Sequence, residues 1–440
     1  MAVYPPKNNT VTIIGGGLAG SEAAFQLAEK GFNVVLYEMR PHKLTEAHQT
    51  GLMAELLCSN SLKSIDITNS NGLLKKELEL MGSLLIKIAY ETRIPAGNAL
   101  SVDRKLFAEK VTNILENHPN ITIIRKEITE IPDSRPLIIA TGPLTSGNFA
   151  KNLINMTKDH LFFYDAISPI VDADTINYEK VFFKSRYDKG DADYLNCPMT
   201  KEEYEKFYFE LINAEKVELR SFEKAKYYEN CIPIEELASR GFKTLIFGPM
   251  RPVGLENPIT KDKYYAVVQL RKENKEGTAY NIVGFQTKMK IKEQKRVFRL
   301  IPGLENAEFL RYGSIHRNTY INAPNILEDN YKIRGEEIYF AGQISGVEGY
   351  VESIASGLTV AFDVYHRYLH KSPLKLPEDT ALFSLQNYVS RLESKNFSPS
   401  NFHFGMLSNI EGIKDKNLKK QIQAERALKK IEDFLRVLKI

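Results

Sequence analysis

The chain has 440 residues, 43% hydrophobic and 26% charged, with a formal net charge of +4 and a pI near 8.6; this predicts two or three domains with ample core in an ordinary soluble protein. The 3 cysteines include no C-x-x-C pair, which excludes a disulfide scaffold, a zinc ribbon and a thioredoxin-type dithiol. No apolar run is long enough to span a membrane and no charged-then-apolar leader opens the sequence, so the expected setting is the reducing cytoplasm.

Residues 11–14 are a short β-branched run that predicts a strand. Gly15, Gly17 and Gly20 follow as G-x-G-x-x-G, with Gly16, Leu18 and Ala19 between them. In such a turn the first glycine makes the bend, the second lets backbone approach a pyrophosphate, and the third lets helix and strand pack closely. The helix it opens has an apolar stripe of Ala23, Ala24, Leu27 and Ala28, and its N-terminus offers N–H groups to an anion. Glu38 closes the next strand about twenty residues on, where a carboxylate can accept ribose hydroxyls. An acid there favours FAD or NAD over NADP.

Residues 42–60 are polar with little apolar periodicity, residues 72–85 and 106–115 predict helices, and 121–124 a strand. The run PLIIATG at 136–142 predicts a buried strand closing on Thr141 and Gly142, a small-residue turn against which a cofactor can lie. From 150 to 326 the texture changes to Tyr, Phe, Lys and Glu. Strands are predicted at 265–270 and 280–285, and an amphipathic helix at 202–214. Residues 337–340 predict another strand. It leads into AGQISGVEGYVESIASGL, where Gly342, Gly346 and Gly349 precede a small-residue helix, with Gln343 and Tyr350 beside them. The nucleotide fold is then completed from both ends of the chain. Residues 414–440 predict a charged amphipathic helix that packs one apolar face on the body.

The expected fold class is α/β: a Rossmann-like dinucleotide-binding domain with an inserted mixed α/β domain and a C-terminal helical segment. The expected division is 1–149 and 327–375 for the first, 150–326 for the insertion and 376–440 for the last. Among candidates for chemistry, Cys197 reads as a small buried hydrophobe, whereas Cys58 and Cys231 have polar neighbours and suit a thiolate. His366 and His370 lie one helical turn apart without a third ligand, so no metal site is expected. Asp103, Arg104, His316 and Arg317 sit at element ends. The basic stretch 290–299 suits either a solvated face or phosphate contact.

Several strings taken together, among them GGGLAGSEAA, LYEMRP, AELLCSNSLKS, KSRYDKGDADYLNCPMTKEE, FGPMRPVGLE and FAGQISGVEGYVESIASGL, resemble one family over nearly the whole chain. It is the folate- and FAD-dependent tRNA uracil-5-methyltransferases, flavoprotein relatives of the tRNA wobble-modifying GidA proteins. The GidA proteins are similar in the first motif but carry a large C-terminal helical extension. The resemblance implies transfer of a one-carbon unit from 5,10-methylenetetrahydrofolate to C5 of the T-loop uridine (position 54 of tRNA), with FAD reduced by NAD(P)H. It implies that Cys231 in ENCIPIE is the uracil nucleophile and Cys58 in LLCSNSL a second functional cysteine near the flavin, with FAD held at Gly15–Gly20. Gly16 stands where the family often has Ala, at a position read as variable. The same chemistry on a ribosomal RNA uridine, or a GidA-like wobble modification, is the alternative. NADH against NADPH, the folate contacts, and monomer against weak homo-oligomer stay open.

Overall fold

In the computed structural model the described residues are 9–45, 47–157, 161–166, 168–188, 191–217, 232–390 and 397–438, with backbone alone for 161–166 and 315–318. A five-stranded parallel sheet lies in the order Ile338–Phe340, Leu137–Ile139, Thr10–Ile14, Asn33–Glu38, Ile121–Arg125. Val11, Ile13, Val34, Leu36 and the whole of Leu137–Ile139 are buried, as expected for a parallel sheet covered on both faces. Ile338–Phe340 joins the edge beside Leu137–Ile139, so the late segment does complete the early sheet. Helix Leu18–Glu29 packs along the 21-residue helix Tyr350–His370. A Cβ at Gly357 would lie 2.2 Å from the Ala19 carbonyl oxygen, so the small residue there sets how closely the two helices meet.

A second sheet, six-stranded and antiparallel, runs Phe182–Phe183, Tyr194–Met199, Ala266–Lys272, Ala279–Ile282, Ile170–Asp172, Phe309–Arg311. Its aromatic-rich core, with Tyr204, Phe207, Phe285 and Phe298, is separate from the core around the parallel sheet. Helix Lys201–Asn213 opens with a capping box between Thr200 and Glu203, within one residue of the predicted start. The predicted strand 280–285 is shorter, Ala279–Ile282. The basic stretch at 290–299 is helix Ile291–Phe298, which buries Val297 and Phe298 and pairs Arg296 with Glu210 and Glu293.

The single helix predicted over 72–85 is two, Ser70–Leu80 and Leu84–Glu91. Gly82 takes a φ of 76°, which ends the first, and the Ser83 side chain caps the second by accepting from the Ile86 N–H. Buried Glu22 finishes that start, accepting from Leu84 N–H at 3.2 Å and Leu85 N–H at 3.0 Å. Apolar periodicity alone ran across this break because Leu84 and Leu85 are as buried as the residues before it.

The same device holds the C-terminal region. Glu77, fully buried, accepts the Ala381 N–H at 2.7 Å and the Leu382 N–H at 2.9 Å, at the first turn of helix Ala381–Ser390. Glu77→Ala would strand two buried donors, each costing about 1–3 kcal/mol. Its thermal midpoint should fall by several degrees, whereas Glu79→Ala, on the exposed side of the same helix, should leave it within a degree or two. Helix Lys416–Leu438 buries Ala424, Ala427 and Ile431 and leaves its basic face outward. No helix among the described residues is long and apolar enough to cross a membrane.

Candidate functional site

The Gly-rich turn, the turn after Leu137–Ile139 and the turn before Tyr350–His370 face one cleft. Its walls include Gly15, Gly17, Leu18, Ala19, Glu38, Thr141, Gly142, Gly342, Gln343, Tyr350 and Cys58. Three segments far apart in sequence therefore converge, as expected. Gly16, Gly20 and Gly349 stand behind this wall. Gly20 packs on the turn itself, because a Cβ there would lie 1.9 Å from the Gly15 carbonyl oxygen. Gly15 takes a φ of +104°, and a Cβ on it would meet the Ala140 carbonyl oxygen at 2.4 Å. Gly349 caps helix Tyr350–His370.

Gly16 is more confined than a variable position suggests. A Cβ would fall 2.2 Å from the Met53 sulfur and 3.1 Å from Glu38 Oε2, so alanine there needs Met53 to move. The Gly16 N–H donates to Glu38 Oε2 at 2.8 Å.

Gly17 is the opposite case: nothing lies within 4 Å of its would-be Cβ, and its backbone is extended at φ −75°. Open space sits directly before the N–H groups that open helix Leu18–Glu29, and Gly142 across the cleft is equally clear. A cleft with a bare backbone patch at a helix N-terminus suits a dinucleotide, with Gly17 free to meet a pyrophosphate.

Glu38 is buried, and its carboxylate is crowded with donors. Besides Gly16 it accepts the Arg40 N–H at 3.0 Å and the Arg40 guanidinium at 2.9 and 3.0 Å. Burial alone would raise its pKa, but the Arg40 hydrogen bonds and charge, with the Arg40 and Gly16 N–H groups, outweigh it and hold the carboxyl below its ordinary value. Arg40, also buried, reaches Glu55 Oε2 at 3.2 Å, and Glu55 in turn accepts from Gln49 N–H and from Thr50. These ion pairs fold the polar segment 39–58 over the cleft.

The segment also brings in a group the sequence reading passed over. His48 lines the cleft, and its pKa is pushed down to about 4 by burial first and then by Arg40. It is a neutral imidazole at neutral pH, with Nδ1 2.6 Å from Thr45 Oγ1. The only signal for it was its place in a polar stretch before Cys58.

Cys58 sits where this segment meets both sheets. Its sulfur is 3.0 Å from the Tyr350 hydroxyl. Arg104 donates to the carbonyls of Leu56 at 2.7 Å and Leu57 at 3.0 Å, and Arg311 donates to Leu57 at 2.8 Å. Arg104 is anchored by Glu273 at 2.9 Å, while Asp103 beside it caps helix Arg104–Glu116. Arg271 donates to Ser59 Oγ at 2.8 Å and to Asn60 Oδ1 at 2.9 Å. Of the two residues noted only as polar groups at element ends, Arg104 thus shapes the Cys58 loop, while Asp103 caps the helix that carries it.

Cys231 lies outside the described residues, and so do the side chains of His316 and Arg317. Cys197 is fully buried, and burial pushes its thiol up. Cys197→Ala should cost about 1–2 kcal/mol of stability and leave activity per folded molecule unchanged, as measured by thermal unfolding beside turnover. The His366 and His370 rings lie 4.5 Å apart, tilted by 44°, and no group of three or more metal-ligating side chains occurs among the described residues.

Sheet, glycine turn and cleft define the class: a Rossmann-like dinucleotide-binding protein with a second sheet inserted into it. The family model for glucose inhibited division protein A matches residues 10–372. The chain is 55% identical over 427 residues to the methylenetetrahydrofolate–tRNA-(uracil-5-)-methyltransferase TrmFO of Natranaerobius thermophilus, covering 97% of this chain and 99% of that one. It is 53% identical over 431 residues to the protein of the same name from Anoxybacillus flavithermus, covering 97% of this chain and 100% of that one. Among solved structures it is similar to Aquifex aeolicus GidA, with a TM-score of 0.70 at 16% identity, over 96% of this chain and 73% of that one. The chain belongs to the GidA family and, within it, to the TrmFO family of tRNA uracil-5-methyltransferases.

Proposed function

We propose that this chain methylates C5 of the T-loop uridine of tRNA, taking its one-carbon unit from 5,10-methylenetetrahydrofolate. The observation that carries the reading is that Cys58 shares one cleft with the glycine turn and with Gly342, Gln343 and Tyr350. A dinucleotide laid along that turn ends near a thiol. FAD, reduced by NAD(P)H, would supply the hydride that converts an exocyclic methylene to methyl, which no cysteine can supply.

The chain's own residues bind and activate. Gly15, Gly17, Leu18 and Ala19 would hold the FAD pyrophosphate, with Gly16 and Gly20 packed behind them, and Thr141, Gly142, Gly342, Gln343 and Tyr350 would line the rest of the pocket, with Gly349 capping the helix behind it. Glu38, which lines the same cleft, would offer its carboxylate to the ribose hydroxyls. Uracil C5 is a poor nucleophile. Addition of the Cys231 thiolate at C6 creates an enolate, and the enolate attacks an electrophilic methylene. A base then removes the C5 proton as the tetrahydrofolate nitrogen leaves, which gives an exocyclic methylene with sulfur still on C6; hydride addition would convert it to methyl as the Cys231 thiolate leaves. Cys58 is the second functional cysteine of the site. The separate core around the antiparallel sheet supports treating 150–326 as an insertion into a FAD-binding unit, 1–149 with 327–375, while the helical segment 376–440 packs into that unit's core. The reducing cytoplasm, where tRNA and reduced folate occur, is the matching location.

Cys231→Ala tests the nucleophile. It should abolish 5-methyluridine formation on a T-arm transcript while leaving bound flavin unchanged in the absorption spectrum. A variant that still forms product assigns the nucleophile elsewhere.

A further inference from the structure

The Tyr350 hydroxyl is committed on two of its three sides. It accepts the Cys58 N–H at 2.8 Å and the Ser59 N–H at 3.2 Å, which fills both lone pairs of a phenol oxygen. What it has left is its proton, and the Cys58 sulfur lies 3.0 Å away. We propose that Tyr350 is a positioning residue that makes the Cys58 sulfur a hydrogen-bond acceptor and so holds it as a thiolate. The Cys58 proton leaves to solvent and Tyr350 keeps its own. This deepens the proposed function, since it rests on Cys58 being a functional thiol there.

The surroundings push the same way. From helix Arg104–Glu116 comes the Arg104 guanidinium, and from the strand Phe309–Arg311 that of Arg311, both clamped on the carbonyls just before Cys58. Glu273, after strand Ala266–Lys272, offsets one of the two by pairing with Arg104. Arg271 holds Ser59, while His48 and Glu55 line the same cleft, and the imidazole is neutral. Arg104, Arg271, Arg311 and Arg40 against Glu273, Glu55 and Glu38 leave a positive balance around the Cys58 loop, which favours a thiolate. Burial first, and then Cys58, hold the Tyr350 phenol well above its ordinary value, so its proton is present at neutral pH.

A thiolate reacts with iodoacetamide and a thiol does not, so alkylation against pH reads this state directly. In the flavin-containing protein, Cys58 alkylation is followed by peptide mass spectrometry, with buried Cys197 as the internal control. In the wild type the rate should change less than about threefold between pH 7 and pH 10, whereas an ordinary thiol near 8.5 gains roughly thirtyfold. In Tyr350→Phe the rate at pH 7 should drop about tenfold and should rejoin the wild type within twofold at pH 10. Loop loosening alone would change the rate by the same factor at every pH. A wild-type rate that climbs like an ordinary thiol overturns the proposal, and so does a wild-type-to-variant ratio that is independent of pH. Neither readout requires methyl transfer, so failure here is distinct from failure of the methyltransferase reading.

Discussion

Gly17→Ala is expected to fold normally and to purify without flavin. The backbone at Gly17 is extended and nothing lies within 4 Å of the added methyl, so the protein itself has no reason to object. The thermal midpoint of the apoprotein should stay within about 2–3 °C of the parent. The methyl would instead occupy the space where the pyrophosphate must touch backbone. A loss of about 1.4–2.8 kcal/mol corresponds to a tenfold to hundredfold weaker flavin affinity, measured by fluorescence titration of the apoprotein with FAD. Gly20→Ala is the contrast. Its Cβ would meet the Gly15 carbonyl oxygen at 1.9 Å, so the fold itself should suffer and the midpoint should drop. Full flavin content in Gly17→Ala would place the cofactor away from this turn.

Arg40→Ala should be among the most destabilising single changes in the chain. It would leave Glu38 and Glu55 facing each other's neighbourhood without their shared cation, in a place where Arg40 is only 1% exposed and Glu38 5%. Breaking one side of a buried pair costs about 3–5 kcal/mol. The pH dependence has a definite sign. Because the folded-state pKa of Glu38 lies below its unfolded value, the pair's contribution is present above the unfolded pKa of about 4.3 and is lost as pH falls through the folded one. The wild-type advantage over Arg40→Ala should therefore be full near neutral pH and should shrink as pH falls below about 4.3, because the variant has no such reserve to lose. Arg40→Lys, with the charge but not the fork, should fall between. Thermal unfolding at several pH values checks all three. Because Gly16 donates to the same carboxylate, the variant should also retain less flavin.

The elements that were legible in the sequence are those written in local pattern. The strand–glycine–helix unit, the apolar run at 137–139 and the small-residue helix after Gly349 all announce themselves through period and residue size. The segment 39–58 did not, because it has no period. Its shape comes from Arg40 bridging two glutamates and from arginines 104 and 311 capping its carbonyls, bonds that depend on residues far away in sequence. The Cys58–Tyr350 contact spans 292 residues. The late glycine motif pointed Tyr350 toward the cofactor and family resemblance pointed Cys58 there; that the two touch came from the fold. The break at Gly82 was hidden for a different reason, since buried leucines on both sides kept the helical rhythm going.

The central claim is a folate-dependent methyl transfer to tRNA, and it is tested most directly by a reconstituted assay. Purified protein, NAD(P)H and a T-arm transcript are incubated with or without 5,10-methylenetetrahydrofolate, beside ribosomal RNA as a second substrate. The account predicts 5-methyluridine in the T loop, seen by mass spectrometry of nuclease fragments, only when the folate is present and not in ribosomal RNA. Product on ribosomal RNA alone, or product on tRNA that forms equally well without the folate, would contradict it.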